Sequence, residues 1–336
     1  MSNNTVMIEL AAPIIDPFIA NTFRIVCLLF VAEVVGVCGI MTNVINILVF
    51  RGQGYQDGVN ITLTALAVSD IGALISQQIY NLLLIPMIQE TDLVILKSHL
   101  GVLVIYVNEY FVRVSSLVTS FASVERCVCV VMPLKVKSII TRKVVFTVNV
   151  TIFLVLSLYL FPPYFSIYLG LKVIPGWNRT VLSIFYQSYG ESVLRLSYNF
   201  TDLLLPYGTF LILILSAATI FFQLKAKAKW RQSISSESLQ SGKSVAPFKE
   251  RKSVVMLMTV SIVCVLLVLP KSLMLTVGGV VREMKMDGAY KDITTIVYSF
   301  TSLLETINSS ITIFIYYRMS TKYRTEFQKF FSVFKK

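Results

Sequence analysis

Charged residues are scarce in this sequence. Only 14% of its 336 residues are Asp, Glu, Lys or Arg, whereas 55% are hydrophobic, and the mean hydropathy is +0.74. Soluble domains carry about 25% charged residues. The composition therefore excludes an ordinary soluble protein and indicates an integral membrane protein.

Residues and motifs for catalysis are also lacking. The chain has one histidine, His99, and it has no zincin, P-loop or nucleophile-elbow motif and no paired metal ligands. The five cysteines lie within or at the edges of apolar runs, which leaves no pair outside the membrane for a disulfide. Nothing in these features favours an enzyme or a bound cofactor.

Long apolar runs, by contrast, occupy most of the chain. Seven of them reach the roughly 20 residues that a helix needs to cross the hydrocarbon core. We therefore predict an all-α membrane protein, a seven-transmembrane helix bundle with a short amphipathic C-terminal helix. The predicted spans are residues 25–50, 59–88, 98–132, 144–167, 198–224, 254–281 and 293–317.

The predicted spans divide the chain into three parts. Residues 1–24 form an extracellular N-terminal tail, and residues 25–318 form the seven-transmembrane domain. Residues 319–336 form an amphipathic helix and a cytoplasmic tail, because apolar residues recur there every three or four positions among basic ones. Those apolar residues are Met319, Tyr323, Phe327, Phe330, Phe331 and Phe334.

The basic residues indicate the orientation and the partners. With the N-terminus outside, 20 of the 30 Lys and Arg residues fall on the cytoplasmic side, where such residues are retained. The net charge of +12 is spread over these loops and is not gathered on one soluble face, so the inner leaflet explains it better than nucleic acid. We expect a multi-pass plasma-membrane protein with its C-terminus in the cytoplasm.

Several residues predict local features of such a protein. Asn3 and Asn178 begin glycosylation sequons on the outer side. Pro206 and Pro270 lie inside the fifth and sixth spans, where they are expected to kink the helices. Asp70 lies within the second span, and a carboxylate there needs a proton, a cation or hydrogen-bond donors.

The third span carries charges at both ends. Glu109 and Arg113 are four residues apart with the acid first, so they share a helix face and can pair. Glu125 and Arg126 lie near the inner end. Charges inside a membrane span are costly, which makes these residues candidates for function.

These features, in this order and spacing, resemble the rhodopsin-like (class A) G-protein-coupled receptors, from about Gly39 to Phe331. The amino-acid sequence looks closest to invertebrate receptors of the molluscan chemosensory and neuropeptide-like type. The residues that carry the resemblance are Asp70 in LAVSD, Glu125-Arg126-Cys127, VVMPL after it, Pro206, Pro270 and Tyr316.

The resemblance implies a switch that couples the receptor to a heterotrimeric G protein. Arg126, after Glu125, is expected to pair with Glu250 at the inner end of the sixth helix. Pro133 and Leu134 match loop residues that meet the G protein, and Tyr316 is the one residue kept from the family's terminal Asn-Pro-x-x-Tyr motif.

The resemblance also implies two sites inside the bundle. Asp70, Ser115, Asn308 and Ser309 match a buried sodium site, although a protonated Asp70 bonded to its neighbours explains them equally well. The ligand cavity would contain Asn108, Glu109, Arg113, Asp202, Lys271 and Glu305. Those charges either neutralise one another or bind a polar or zwitterionic ligand, such as an amino-acid-like odorant or the charged end of a peptide. Biogenic-amine receptors carry Asp where this chain has Asn108, which argues against amines.

Departures from the family pattern keep other functions open. Val268 replaces the sixth-helix Trp, Gly101 replaces the disulfide Cys, Ile214 replaces the fifth-helix Tyr, and Ile313 replaces the Pro of the terminal motif. We expect a receptor that transmits binding of an extracellular chemosensory ligand or neuropeptide to a G protein. The alternatives are a non-signalling binding receptor or decoy and, with less support, a transporter or proton channel.

Overall fold

The computed structural model of the protein describes residues 15–85, 97–174, 179–237, 248–284 and 288–333. Both predicted glycosylation sites, Asn3 and Asn178, lie outside these residues. The backbone of Glu250 is described as part of a helix, but its side chain lies outside the described part of the chain.

Six helices in the described residues are long and apolar enough to cross a membrane. The predicted seventh span is two helices, α7 and α8, in series across a turn at Ile311. Its inward face is rich in Ser and Thr, which makes it more polar than the other six. The helices are α1 (Pro17–Gln53), α2 (Gly58–Leu83), α3 (Lys97–Val131), α4 (Arg142–Phe165), α5 (190–237), α6 (Phe248–Val280), α7 (Lys291–Ser310) and α8 (Thr312–Met319).

The first helix begins inside the segment that was predicted to be a tail. Asp16 precedes it and accepts a hydrogen bond from the backbone N–H of Phe18 at 2.8 Å, and Pro17 occupies the first helical position. An Asp cap followed by proline is a strong helix start. The apolar run alone placed the boundary at residue 25, so it missed the start that this cap provides.

A helix outside the bundle follows the seventh span, as predicted. It is α9 (Thr321–Val333), and its Tyr323 is buried against Phe50 of α1 and Tyr316 of α8, with ring centroids 5.6 and 5.7 Å away. The Tyr323 hydroxyl donates to Asn46 Oδ1 at 2.6 Å. Burial also raises the pKa of Tyr323, so the phenol stays protonated as a donor. The aromatic stripe of the sequence therefore attaches α9 to the inner end of the bundle.

A β-hairpin lies between α4 and α5, in a connection where the predicted all-α fold has no strand. Its strands, β1 (Ile167–Ile174) and β2 (Arg179–Tyr186), pair antiparallel, with Leu171 opposite Leu182. Both strands are rich in β-branched and aromatic residues, a composition typical of strands. His99, in the first turns of α3, accepts a hydrogen bond at Nδ1 from the backbone N–H of Ile184 at 3.1 Å.

The His99 contact attaches the hairpin to the helix where Gly101 leaves no cysteine for a disulfide. We expect His99→Ala to raise the exchange rate of the Ile184 amide about fivefold, because a hydrogen bond of this kind contributes about 1 kcal/mol. Hydrogen–deuterium exchange of the purified protein measures this rate. In His99→Asn the amide oxygen replaces Nδ1 as acceptor, and exchange should stay near the wild-type rate. Equal rates in all three proteins would contradict the attachment.

Candidate functional site

Five charged side chains from four helices form one continuous chain of ion pairs inside the bundle. Arg113 on α3 lies 3.0 Å from the carboxylate of Asp202 on α5 and 2.9 Å from that of Glu109. Glu109 also lies 2.9 Å from Lys271 Nζ on α6, and Lys271 lies 2.5 Å from Glu305 on α7. The order is Asp202, Arg113, Glu109, Lys271, Glu305, and we call these five residues the ion network.

The local sequence explains how each helix brings its charge inward. Glu109 and Arg113 lie one turn apart on α3, as their spacing predicted. In α5, Asp202 lies in a π-helical segment, Asn199–Leu204, which ends two residues before Pro206. Proline has no N–H to give to the preceding turn, so the regular hydrogen-bonding pattern is interrupted next to Asp202. Lys271 follows Pro270, which lies inside α6.

The ion network is buried, and its formal charge is unbalanced. The side chains of Lys271 and Arg113 are only 2% and 3% exposed, and the most exposed member, Asp202, reaches 15%. Three carboxylates face two cations, which leaves a formal charge of −1. Isolated charges at such burial are very costly, so mutual pairing explains why all five side chains can be ionised there.

A narrow cavity adjoins the ion network between α2, α3 and α7. Its free space is on the order of one water molecule. Asn108 lies in its wall, and its amide Nδ2 donates to the backbone carbonyl of Ala73 at 2.8 Å. Its Oδ1 is buried and has no hydrogen-bond partner among the described residues. The cavity is lined by Ala73, Leu74, Gln77, Asn108, Val112, Glu305, Thr306 and Ser309.

Two residues at this site escaped the sequence analysis. Gln77 lines the cavity, and it lies seven residues after Asp70, a spacing that puts both on one face of α2. Tyr298 places its ring 5.7 Å from Lys271 Nζ, within cation–π range. The helical spacing was a usable signal for Gln77, whereas no local pattern marks Tyr298.

Asp70 lies deeper in the bundle, with two of its three predicted neighbours. The Ser115 hydroxyl donates to Asp70 Oδ1 at 2.8 Å, and Ser309 is also within hydrogen-bonding range of the carboxylate. Asn308 is only half-buried and is not among the described partners of Asp70. Among the described residues no group of three or more His, Cys, Asp and Glu is placed to hold a metal ion. The hydroxyl oxygens around Asp70 suit a sodium ion chemically, and the sodium site stays a prediction.

The inner end of α3 carries a second ion pair. Arg126 lies 2.6 Å from Glu125, whose side chain is 4% exposed. Leu134, in the turn after α3, is 96% exposed, and Pro133 beside it is exposed too. The predicted pairing of Arg126 with Glu250 involves a side chain outside the described part of the chain.

Comparison with models of known protein families gives a match. The family model described as "Serpentine type 7TM GPCR chemoreceptor Srw" matches residues 30–334, which is nearly the whole chain and includes every member of the ion network. No curated protein matches the chain.

Proposed function

The chain belongs to the Srw family of serpentine seven-transmembrane G-protein-coupled chemoreceptors, and from this premise we propose that it recognises its ligand at the ion network. As a member of the family it is a multi-pass membrane receptor that couples a chemosensory stimulus to a G protein. The proposal concerns which residues receive the ligand and how they pass the signal on.

One observation carries the proposal: each of the two cations of the network connects its own helix to at least one other helix through carboxylates. Lys271 bonds Glu109 and Glu305, which joins α6 to α3 and α7. Arg113 joins α3 to α5 through Asp202. A ligand shifts an equilibrium only by binding two conformations differently. A charged ligand that replaces one member of a pair would do so, because it changes which helices are held together.

The same reasoning suggests a ligand with charged groups. A carboxylate on the ligand can take the place of Asp202 or Glu305, and an ammonium group can compete with Lys271. A polar or zwitterionic molecule, such as an amino-acid-like odorant or the charged end of a peptide, can do both. Charge-assisted hydrogen bonds of this kind are about twice as strong as neutral ones.

At the inner end we propose that Arg126 with Glu125 is the switch and that Leu134 contacts the G protein. Leu134 is an apolar side chain directed away from the protein, which supports a contact with a partner. Separation of Arg126 from an acid on α6, with Glu250 in that role, would open the inner face. Tyr316, packed between α1 and α9, would hold the end of α8 during this movement.

The finer placement of the chain is part of the proposal. The order of Glu125-Arg126, Pro206, Pro270 and Tyr316 supports a rhodopsin-like architecture, and the appearance of the sequence itself supports molluscan-type relatives. We also propose glycosylation at Asn3 and Asn178, with the N-terminus outside and the C-terminus in the cytoplasm, as the basic loops favour.

The test is nucleotide exchange on a heterotrimeric G protein in membranes that contain the full chain, challenged with a panel of amines, amino acids and amidated peptides. We expect at least one compound to raise exchange. Asp202→Asn should change its half-maximal concentration at least about tenfold, downward for a compound whose carboxylate replaces that of Asp202 on Arg113, because a hydrogen bond to a charged group contributes about 1.5–3 kcal/mol.

The matched control is Glu191→Gln, which removes a carboxylate paired with Arg195 on the exposed start of α5 and should leave the half-maximal concentration unchanged. Binding of panel compounds without exchange would favour a decoy receptor. Their flux across the membrane without exchange would favour a transporter. An unchanged dose response in Asp202→Asn would show that the ligand does not bind at the ion network.

A further inference from the structure

The cavity between α2, α3 and α7 has the chemistry of a cation site. We infer that it binds one small monovalent cation, either Na⁺ or the ammonium group of an amine, between the carboxylate of Glu305 and the amide oxygen of Asn108. The inference deepens the proposed function, because the cavity adjoins the ion network, and its amine form rests on that function.

The first argument is charge. The ion network contains three carboxylates and two cations, all of them largely buried. Burying an uncompensated charge is far more costly than burying a neutral pair. One bound monovalent cation makes the network neutral, whereas a divalent ion would reverse the imbalance. Glu305 is the end member of the ion network, and among the described residues its one charged partner is Lys271, so its carboxylate is the one that can accept another cation.

The second argument is an oxygen atom that lacks a partner. Asn108 is 3% exposed, and its Nδ2 is committed to Ala73 and, at 3.4 Å, to Ser76. Because Nδ2 makes both bonds, the orientation of the amide is fixed. Its oxygen, Oδ1, has no hydrogen-bond partner among the described residues. Buried polar atoms are nearly always satisfied. A cation or ammonium group in the cavity would satisfy this one.

The size and the remaining lining of the cavity agree with this assignment. The free space is on the order of one water molecule, which suits Na⁺ or a single ammonium group. Gln77 and Ser309 also line it and bring further oxygen atoms. Position 108 lacks the acid of the amine receptors, but Glu305 brings a carboxylate to the same cavity from α7.

The site neighbours Asp70 but does not include it. Asp70 does not line the cavity, and its carboxylate accepts the Ser115 hydroxyl at 2.8 Å. Ser309, which lines the cavity, is also within hydrogen-bonding range of Asp70. A cation held by Glu305 and Asn108 therefore predicts a response that survives neutralisation of Asp70.

The experiment measures the Tm of the purified full chain in detergent at constant ionic strength. N-methylglucamine, which is too large for the cavity, is replaced by Na⁺ in one arm and by methylammonium in the other. We expect at least one of the two to raise the Tm by about 2 °C at saturation, and the arm that does so identifies the source of the cation. Asp70→Asn removes the second candidate sodium site and should keep the shift, as should Glu191→Gln. In the Asp70→Asn background, Glu305→Gln and Asn108→Leu should each abolish it.

Three outcomes would overturn the inference: no shift with either cation in the wild type, a shift that disappears in Asp70→Asn, or a shift that persists when Asn108→Leu is added to Asp70→Asn. Asn108→Leu leaves every charge in place, so it gives an answer even if Glu305→Gln does not fold. The measurement uses no G protein and no panel compound. A failure to find ligand-dependent exchange would therefore count against the proposed function and not against the cation site.

Discussion

Replacement of Lys271 with methionine is expected to lower the free energy of unfolding by about 3–5 kcal/mol, the usual cost of removing one partner from a buried ion pair. Lys271 is the only residue that bonds both Glu109 and Glu305 within the ion network. Without it, Glu305 loses its cationic partner in the network and Glu109 keeps only Arg113, and the formal charge of the network changes from −1 to −2. Methionine fills a similar volume, so the loss is electrostatic and does not come from a cavity. Thermal unfolding of the purified receptor and its amount at the cell surface both report the effect.

A second substitution tests the electrostatic explanation. Adding Glu305→Gln to Lys271→Met removes the carboxylate that has lost its cation. We expect this second change to restore a large part of the lost stability. The control is Lys291→Met, at the exposed start of α7, which should change stability by less than about 0.5 kcal/mol. Equal stability of Lys271→Met and Lys291→Met, or no recovery in the double variant, would show that the network pairing contributes little.

Removal of the Arg126 side chain should have the largest effect on signalling. We expect Arg126→Ala to reduce nucleotide exchange on the G protein about tenfold or more, within the range of typical coupling free energies, while the receptor still reaches the cell surface. Arg126 lies at the inner end of α3, and Glu125 is its partner at 2.6 Å. The change removes the cation of the proposed switch and leaves the ion network untouched.

The matched control for Arg126 is Arg142→Ala. Arg142 begins α4 on the same predicted side of the membrane, and its side chain is exposed. Exchange should stay at the wild-type level in this variant. Wild-type nucleotide exchange in Arg126→Ala at equal surface expression would show that Glu125 and Arg126 take no part in coupling to the G protein.

The helices and the charged site were predictable to different degrees. Apolar runs of sufficient length gave the seven spans, because hydrocarbon thickness sets a minimum length that composition reveals directly. Charges inside those spans identified Glu109, Arg113 and Lys271, because each is costly in a membrane. The pairing of Glu109 with Arg113 was also predictable from their spacing on one helix.

The partners across helices were not predictable. Lys271 had three carboxylates within reach in principle, and only the rotation of α6 relative to α3 and α7 selects Glu109 and Glu305. Asp202 reaches Arg113 from a π-helical segment, which no periodicity of 3.6 residues describes. The partly bonded amide of Asn108 depends on the neighbouring backbone of Ala73, which is distant in sequence.

We propose that the ion network links the ligand site to the inner face by tying α6 to α3. Glu109→Gln tests this link. It removes the carboxylate that pairs with Lys271 and, within α3, with Arg113, yet Arg113 keeps Asp202 and Lys271 keeps Glu305.

The measurement is the distance between spin labels on Leu134→Cys, after α3, and Val255→Cys, near the inner end of α6, in a receptor whose exposed Cys38 is replaced by serine. Both labelled positions are exposed. We expect Glu109→Gln to shift the distribution of distances between the two labels to longer values without any ligand. A distribution identical to that of the otherwise unchanged labelled receptor would contradict it.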